Sequence, residues 1–194
     1  MDFKKLSDYQ PQLLPETEAT AAVMIILLID PAGHLEIVLT KRAETLLTYA
    51  GHYSLPGGLR DASDSDLYAT ATREVQEELF LSSDTYQRIG QLDDFLDRYG
   101  RLVRPFVVMM EKETFEKNYK FSADEIDEIY YFSATKLSQI KDDPKLHAIT
   151  KRRPSYAFSE GDVFIWGLTA TILVHLSNII TGENKTVGKD ILTT

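Results

Sequence analysis

An uninterrupted run of aliphatic residues, 22–29, constrains the fold of this chain more than any other feature. Such a run, rich in Ile and Leu, is typical of a β-strand that is buried on both faces. Asp30-Pro31-Ala32-Gly33 follows it with residues that favour a tight turn, and residues 35–40 resume a strand pattern. Residues 22–40 are therefore predicted to form a hairpin whose first strand is buried on both faces.

Helical and strand patterns are mixed along the chain without strict alternation. The sequence predicts a helix over 67–81, with Ser63 or Ser65 as its N-cap, and a longer helix over 162–180 that begins at Ser159 and ends at Gly182. Further strands are predicted over 89–96, 103–110 and the end of 123–132, a short helix over 134–140, and loops over 41–64 and 141–158. This order favours an α+β fold with a mixed sheet.

The length of 194 residues suits one domain with short appendages. Because 43% of the residues are apolar, the chain has enough material for a core. We expect an N-terminal arm over residues 1–20, a folded domain over 21–182 and a C-terminal tail over 183–194. The run 164–180 carries Thr169, His175 and Asn178, so a buried helix is favoured over a membrane span.

Charge and cysteine content exclude several functions. With 21 Lys and Arg against 30 Asp and Glu, the net charge of −9 argues against sequence-independent nucleic-acid binding. The absence of cysteine excludes disulfides, thiolate zinc sites, iron–sulfur clusters and cysteine nucleophiles. With no evident targeting segment, we expect a cytoplasmic protein that binds a small-molecule nucleotide and neither nucleic acid nor a membrane. The oligomeric state stays open, with a homodimer as one alternative.

Three carboxylates crowd one side of the predicted central helix. Glu74 and Glu78 are about one turn apart, and Glu77 lies within about 100° of both around the helix axis. Like charges at this spacing destabilise a helix, whereas Mg²⁺ or Mn²⁺ would reverse the sign of the interaction. The alternative is a solvated acidic face in which Arg73 pairs with Glu77. A glycine pair at the centre of the preceding loop favours the metal site, because adjacent glycines allow close backbone approach.

The segment from Gly57-Gly58 through fourteen residues to REVQEE resembles the Nudix box. Further segments resemble the coenzyme A pyrophosphatase branch of that family: LTKRAETLLTYAGHYSLPGGLRDASD over 39–64, GRLVRPFV over 100–107 and IWGLTA over 165–170. The resemblance implies a Nudix fold, in which a mixed β-sheet lies between helices and the box forms a loop–helix–loop motif. It also implies hydrolysis of a nucleoside diphosphate linked to another moiety.

The resemblance further implies roles for individual residues. Mg²⁺ or Mn²⁺ would be bound by Glu74, Glu77 and Glu78 together with the Gly58 carbonyl, and Arg73 would orient the acidic cluster. The general base would be Glu74 or one of two later acids, Glu125 and Glu128. Asp61 and Asp64 lie where the branch has acids of its own.

The same resemblance suggests how substrate is bound. The candidate contacts are Arg42, His52 and Arg60, with Lys41, Arg42 or residues 151–153 for the 3′-phosphate of coenzyme A. Trp166 and Tyr156 are either an aromatic wall for adenine or core residues. Two alternatives stay open: a pyrophosphatase for ADP-ribose or a nucleotide sugar, and a nucleotide sensor without turnover.

The sequence also departs from the family pattern. The box normally ends in glycine, where this chain has Phe80. Glycine permits a left-handed helix end at little cost, so Phe80 predicts a different exit from the helix. Leu47, Tyr49 and His52 stand where the branch often has basic or polar residues.

Overall fold

The predicted buried strand is the centre of the main sheet in the computed structural model, which describes residues 4–15, 19–150 and 154–187. In chain order the strands are β1 Ala19–Ile29, β2 Leu35–Arg42, β3 Tyr53–Ser54, β4 Gly57–Leu59, β5 Gln87–Gln91, β6 Phe95–Leu96, β7 Leu102–Glu111, β8 Ile126–Ser133, β9 Lys141–Asp142, β10 Tyr156–Glu160 and β11 Val163–Trp166. The α-helices are α1 Lys4–Asp8, α2 Leu67–Leu79, α3 Lys112–Asn118, α4 His147–Thr150 and α5 Gly167–Thr181.

The main sheet is mixed. β1 pairs antiparallel with β2, where Leu27 lies opposite Ile37, and parallel with β7, where Ile25 lies opposite Val107. β8 extends the sheet beyond β2, β5 pairs with β7, and the short β4 pairs with the beginning of β1. The predicted hairpin and the predicted α+β class with a mixed sheet are confirmed.

Alternate residues of β1 supply the two hydrophobic layers. Ile25 and Leu27 belong to the cluster that includes Leu173 of α5, whereas Met24 and Ile26 belong to the cluster that includes Leu67, Ala71, Val75 and Leu79 of α2. Successive side chains of a strand point to opposite faces, so an unbroken aliphatic run requires helices on both. The predicted arrangement of a sheet between helices is confirmed.

The N-terminal arm packs against the domain over residues 4–15. Leu6 of α1 is buried in the α5-side cluster, and the backbone N–H of Leu14 donates to Asp94 Oδ2 at 2.7 Å. Asp94 also accepts from Arg104 Nε at 2.8 Å in a buried ion pair. The division into arm, domain and tail stays a prediction.

The last helix is shorter than predicted. Residues 163–166 form β11, which pairs with β10 in a hairpin, and α5 begins only at Gly167. Ser159 and Asp162 therefore do not begin the helix, whereas Gly182 ends it in the left-handed conformation as predicted. No helix in the described part of the chain is long and apolar enough to cross a membrane.

Smaller differences concern the loops and the helix caps. Asp66 caps α2 by accepting from the Ala69 N–H at 2.7 Å, in place of Ser63 or Ser65. The helix ends at Leu79, two residues early. The predicted loop over 41–64 contains β3 and β4, and the predicted loop over 141–158 contains β9, α4 and the start of β10, because short pairings carry little periodic signal.

Phe80 keeps the left-handed helix exit that glycine usually provides. Its φ is 56° and its ψ 23°, and its N–H donates to the Gln76 carbonyl at 3.1 Å. The prediction of a different exit is wrong. The following loop is tied to the helix end by hydrogen bonds from Lys120 to the Leu79 carbonyl and from Ser122 to the Glu78 carbonyl, both 3.1 Å.

We expect Phe80→Gly to stabilise the protein. The left-handed conformation costs an L-residue about 1–2 kcal/mol, and the extra freedom of unfolded glycine offsets part of the gain. A net increase of about 0.5–1 kcal/mol in the free energy of unfolding is expected from urea titration. Phe80→Ala is the control, because it removes the same half-exposed ring but keeps the Cβ. A Gly variant no more stable than the Ala variant would contradict the account of strain.

Candidate active site

The glycine loop and α2 meet at the acidic cluster. Gly58 lies directly against Glu74: a Cβ at residue 58 would come within 2.5 Å of Glu74 Cδ. Gly57 has a φ of +146°, and a Cβ there would come within 2.6 Å of Val23 Cα. The glycine pair is therefore required so that the loop fits between β1 and the carboxylate face of α2.

Arg73 organises the acidic residues around the loop. Its guanidinium contacts Asp64 at 3.1 Å, Glu74 at 2.9 Å and Glu77 at 2.8 Å, and donates to the Leu59 carbonyl at 2.9 Å. The hydrogen bond to Asp64, and then the charge of Glu74, raise the pKa of Arg73. The geometry agrees with the orienting role that the resemblance implies, and it also contains the Arg73–Glu77 pair expected of a solvated face.

Glu78 is the most perturbed member of the cluster. Only 6% of the residue is exposed, and its Oε2 is buried with no hydrogen-bond partner among the described residues. Desolvation, followed by the charges of Glu74 and Glu125, raises the pKa of Glu78 to about 8. A backbone hydrogen bond from Gly57 opposes the rise but leaves Oε2 unpartnered. Burying an ionised carboxylate with one oxygen unpartnered is costly, and a divalent cation would compensate that cost. The donor set of hard carboxylate oxygens fits Mg²⁺ or Mn²⁺.

The other two carboxylates differ in their surroundings. Desolvation is the largest effect on Glu74 and raises its pKa, while Arg73 opposes the rise. Glu77 is 54% exposed and points toward solvent beside Arg73. Across residues 4–15, 19–150 and 154–187, no three His, Asp or Glu side chains converge closely enough to form a metal site as they stand. The assignment of Glu74, Glu77, Glu78 and Gly58 as ligands stays a prediction.

The two later acids occupy different positions. Glu125 lies in the turn before β8, where its N–H donates to the Ser122 carbonyl at 3.0 Å and the Ser122 N–H donates to the Glu78 carbonyl at 3.1 Å, so the turn is tied to the helix that carries the cluster. The charge of Glu125 raises the pKa of both Glu74 and Glu78. Its carbonyl accepts from the Ala43 N–H at 2.9 Å. Glu128 lies within β8 opposite Lys41 and accepts from the Tyr53 hydroxyl at 3.3 Å. The structure therefore brings Glu125 to the acidic cluster and places Glu128 in a separate contact.

A cavity of about 450 Å³ adjoins the glycine loop. Its volume lies within the range of small-molecule sites. The walls combine backbone, aromatic and cationic groups over an apolar floor; the lining includes Arg42, His52, Gly57, Gly58, Arg98, Arg101, Val103, Trp166, Leu168 and Ile172.

Arg42 and His52, two of the predicted substrate contacts, lie in the lining of this cavity. Arg42 lies at the end of β2, and its Nε is buried without a hydrogen-bond partner among the described residues. His52 packs on Trp166, with ring centroids 5.2 Å apart, and on Tyr49 at 5.6 Å. Desolvation, and then the charges of Arg98 and Arg42, lower the pKa of His52, which favours a neutral ring.

Other candidates lie elsewhere. Arg60 donates to the Asp64 carbonyl at 3.3 Å and the Ser65 carbonyl at 3.4 Å, so it supports the loop before α2. Lys41 lies opposite Tyr53 in the β2–β3 register and is not among the residues that line the cavity. Tyr156 is buried in the core, whereas Trp166 faces the cavity. The candidate residues 151–153 lie outside the described residues.

Arg98 and Arg101 also line the cavity, although the sequence indicated no role for Arg98 and pointed to Arg101 only as part of the segment 100–107. Both come from the turn between β6 and β7, far in sequence from the box. The available signal was the turn sequence Asp97-Arg98-Tyr99-Gly100, in which an Asp and a Gly enclose a basic and an aromatic residue. Which cleft such a turn faces depends on long-range strand pairing and is not contained in the local sequence.

Comparison with known proteins agrees with the loop–helix–loop geometry and the mixed sheet. The NUDIX domain profile matches residues 18–153. The chain therefore belongs to the Nudix family. It is 31% identical to the uncharacterized Nudix hydrolase NudL of Photorhabdus laumondii over 171 residues, which cover 86% of this chain and 88% of that protein.

Two plant proteins from Arabidopsis thaliana are also similar. The chain is 30% identical to Nudix hydrolase 22, chloroplastic, and 31% identical to Nudix hydrolase 15, mitochondrial, with 82% of this chain covered in each case. It spans only 55% and 58% of their lengths. The relatives thus include proteins considerably longer than this one.

Solved structures share the fold at low sequence identity. A MutT/nudix family protein from Enterococcus faecalis superposes with a TM-score of 0.52 and 15% identity over 90% of this chain and 64% of that one. An Ap4A hydrolase from C. elegans superposes with a TM-score of 0.50 and 16% identity, and the match covers 68% of this chain and 92% of that one. At these identities the likeness supports the fold alone.

Proposed function

We propose that this protein is a divalent-metal-dependent pyrophosphatase that hydrolyses a nucleoside diphosphate linked to another moiety, with coenzyme A or its derivatives as preferred substrate. The observation that carries the proposal is the buried, unpartnered Glu78 carboxylate oxygen beside Glu74 and Glu125. Such an arrangement is costly without a cation, and a cavity large enough for a nucleotide opens beside it.

The metal would be Mg²⁺ or Mn²⁺, held by Glu74, Glu77, Glu78 and the Gly58 carbonyl. When bound, such an ion neutralises phosphate oxygens and lowers the pKa of water. Arg73 holds Glu74 and Glu77 through its ion pairs, which limits the loss of side-chain entropy on binding. Family membership and the hard oxygen donor set support this assignment.

The remaining chemistry is positioning. Phosphoryl transfer depends mainly on orientation and charge stabilisation, so a guanidinium near the cluster is valuable. Arg42 has a free buried Nε on the cavity side, and its charge acts on Glu78. We assign it to the substrate diphosphate, and Glu125 to proton removal from the attacking water. His52 and Trp166 offer ring faces and edges to a nucleobase.

The choice of coenzyme A rests on the motifs outside the box, at 39–64, 100–107 and 165–170. The structure gives these segments a common position: each contributes residues to the cavity, including His52, Arg101 and Trp166. A shared substrate site would explain why three segments that are far apart in sequence all resemble the same branch of the family.

We expect coenzyme A to be cleaved to 3′,5′-ADP and 4′-phosphopantetheine, with a kcat/KM higher than that for ADP-ribose. Product chromatography with Mg²⁺ or Mn²⁺ measures both reactions under one set of conditions, and NADH and dinucleoside polyphosphates extend the panel. Cleavage of ADP-ribose without cleavage of coenzyme A would move the substrate to the nucleotide-sugar class. Tight nucleotide binding without hydrolysis of any member would make the protein a sensor.

A further inference from the structure

Arg98 presents an unneutralised cation to the cavity. Its guanidinium carbon lies 4.4 Å from the centroid of the Tyr49 ring and 4.7 Å from that of Tyr99, and its Nη2 donates to the Tyr99 hydroxyl. In the part of the chain that the structure describes, no carboxylate lies within ion-pair distance of Arg98. Arg101, by contrast, contacts Asp97 at 2.7 Å.

The turn that carries Arg98 is held in place by its own hydrogen bonds. Asp97 Oδ1 accepts from the N–H groups of Tyr99 at 2.8 Å and Arg101 at 2.9 Å. The Asp97 N–H donates to the Arg101 carbonyl at 2.9 Å, and Gly100 adopts a φ of 79°. Asp97 is thus occupied by the turn and by Arg101, which leaves the Arg98 charge available to a ligand.

Two guanidiniums line the same cavity as His52, one from a strand and one from a turn. Arg42 comes from the end of β2, beside the acidic cluster, and Arg98 comes from the turn between β6 and β7. After desolvation, the charges of Arg98 and Arg42 are the next largest causes that lower the pKa of His52. The chain as a whole carries a net charge of −9, but two positive charges act on the same neutral His52 ring. The electrostatic potential in this part of the cavity is therefore positive. If the substrate diphosphate binds at Arg42, the positive charge of Arg98 is left without an anionic partner.

We propose that Arg98 binds a second phosphate monoester, carried on the nucleoside half of the substrate and separate from the diphosphate that is hydrolysed. The planar guanidinium has N–H groups besides the one that contacts Tyr99, and these can donate to phosphate while its carbon stays over the Tyr49 and Tyr99 rings. Arg98 is thereby a specificity-determining residue, and a nucleoside with one phosphate leaves it unsatisfied. The assignment rests on the proposed function, because it takes the Arg42 end of the cavity as the diphosphate end.

The test is ligand binding without turnover. Adenosine 3′,5′-bisphosphate and AMP are titrated into the full chain by calorimetry in EDTA, using wild type, Arg98→Gln and Arg98→Lys. Lys117→Gln is the charge-matched control, since Lys117 is an exposed residue of α3 paired with Glu113 at 3.5 Å. We expect Arg98→Gln to weaken bisphosphate binding by about 10- to 100-fold and AMP binding by less than about 3-fold. Arg98→Lys should recover part of the loss, and Lys117→Gln should resemble wild type.

Equal losses for the two ligands in Arg98→Gln, or equal affinities for them in wild type, would overturn the assignment. A parallel comparison of coenzyme A with dephospho-coenzyme A measures the same selectivity in kcat/KM, which Arg98→Gln should remove. Selective bisphosphate binding that depends on Arg98, in a protein that hydrolyses neither compound, would support the phosphate assignment and contradict the pyrophosphatase proposal. The two hypotheses are therefore separately testable.

Discussion

Glu78→Gln is expected to reduce metal-dependent hydrolysis by at least about 100-fold while the protein stays folded. Glutamine has nearly the shape of glutamate but supplies no negative charge, so it removes a charged ligand without opening a cavity. The loss should appear in kcat/KM at every Mg²⁺ concentration and be only partly relieved by excess metal. The measurement is initial-rate hydrolysis across a metal titration, with circular dichroism to establish the fold.

The same substitution should stabilise the protein in EDTA at alkaline pH. In the folded state the pKa of Glu78 is raised to about 8 from an ordinary value of 4.5, chiefly by desolvation. The folded protein therefore holds a proton that the unfolded chain releases, and its stability decreases as pH rises from 4.5 to about 8. Glutamine removes this penalty, so the advantage of the variant should be largest above pH 8 and vanish below 4.5.

A melting-temperature gain of at least about 2–4 °C at pH 8.5 is expected, which corresponds to about 1 kcal/mol in a chain of this size. The control is Glu113→Gln on α3, which removes an exposed charge and should show no such pH dependence. Added Mg²⁺ should stabilise wild type more than Glu78→Gln, because a ligand that binds the folded state raises its melting temperature. Near-wild-type turnover in Glu78→Gln would remove Glu78 from the site.

The sequence was sufficient for the features with strong local signals. The aliphatic run of β1 and the three carboxylates of α2 depend on the periodicity of single elements, and both lie where they were predicted. The hairpin of β10 and β11 was missed because Val163–Trp166 is apolar and continuous with the apolar α5. The change from strand to helix falls at Gly167, the first residue of α5, whose φ is +67°, and a glycine in a sequence does not by itself indicate such a change.

The cavity could not be predicted because its walls come from distant parts of the chain. His52, Arg98 and Trp166 are brought together because each lies next to a different pair of strands: β2 and β3, β6 and β7, and β10 and β11. The predicted helix exit at Phe80 was wrong for another reason. Backbone hydrogen bonds fix the loop after α2 to the helix end, and they hold Phe80 in a left-handed conformation that is strained for this residue. Tertiary contacts thus decided both the substrate side of the site and one helix end.

The difference between Glu125 and Glu128 leads to the second large expected effect. Glu125→Gln should lower kcat by about 10²–10⁴-fold if Glu125 is the general base, with little change in the Mg²⁺ concentration that gives half-maximal activity. Glu128→Gln should stay within about 3-fold of wild type, because Glu128 is engaged by Tyr53 away from the cluster and its loss removes no transition-state contact.

A merely electrostatic role for Glu125 would give a different pattern. Its charge raises the pKa of Glu78 and Glu74, so Glu125→Gln should in any case lower both pKa values and favour metal binding. A base is distinguished by a kcat that falls although metal binds at least as well, and by loss of the acidic limb of the pH–kcat profile. Unchanged kcat values for both variants across pH 5–9 would leave Glu74, held against Gly58 and Arg73, as the remaining candidate for proton removal.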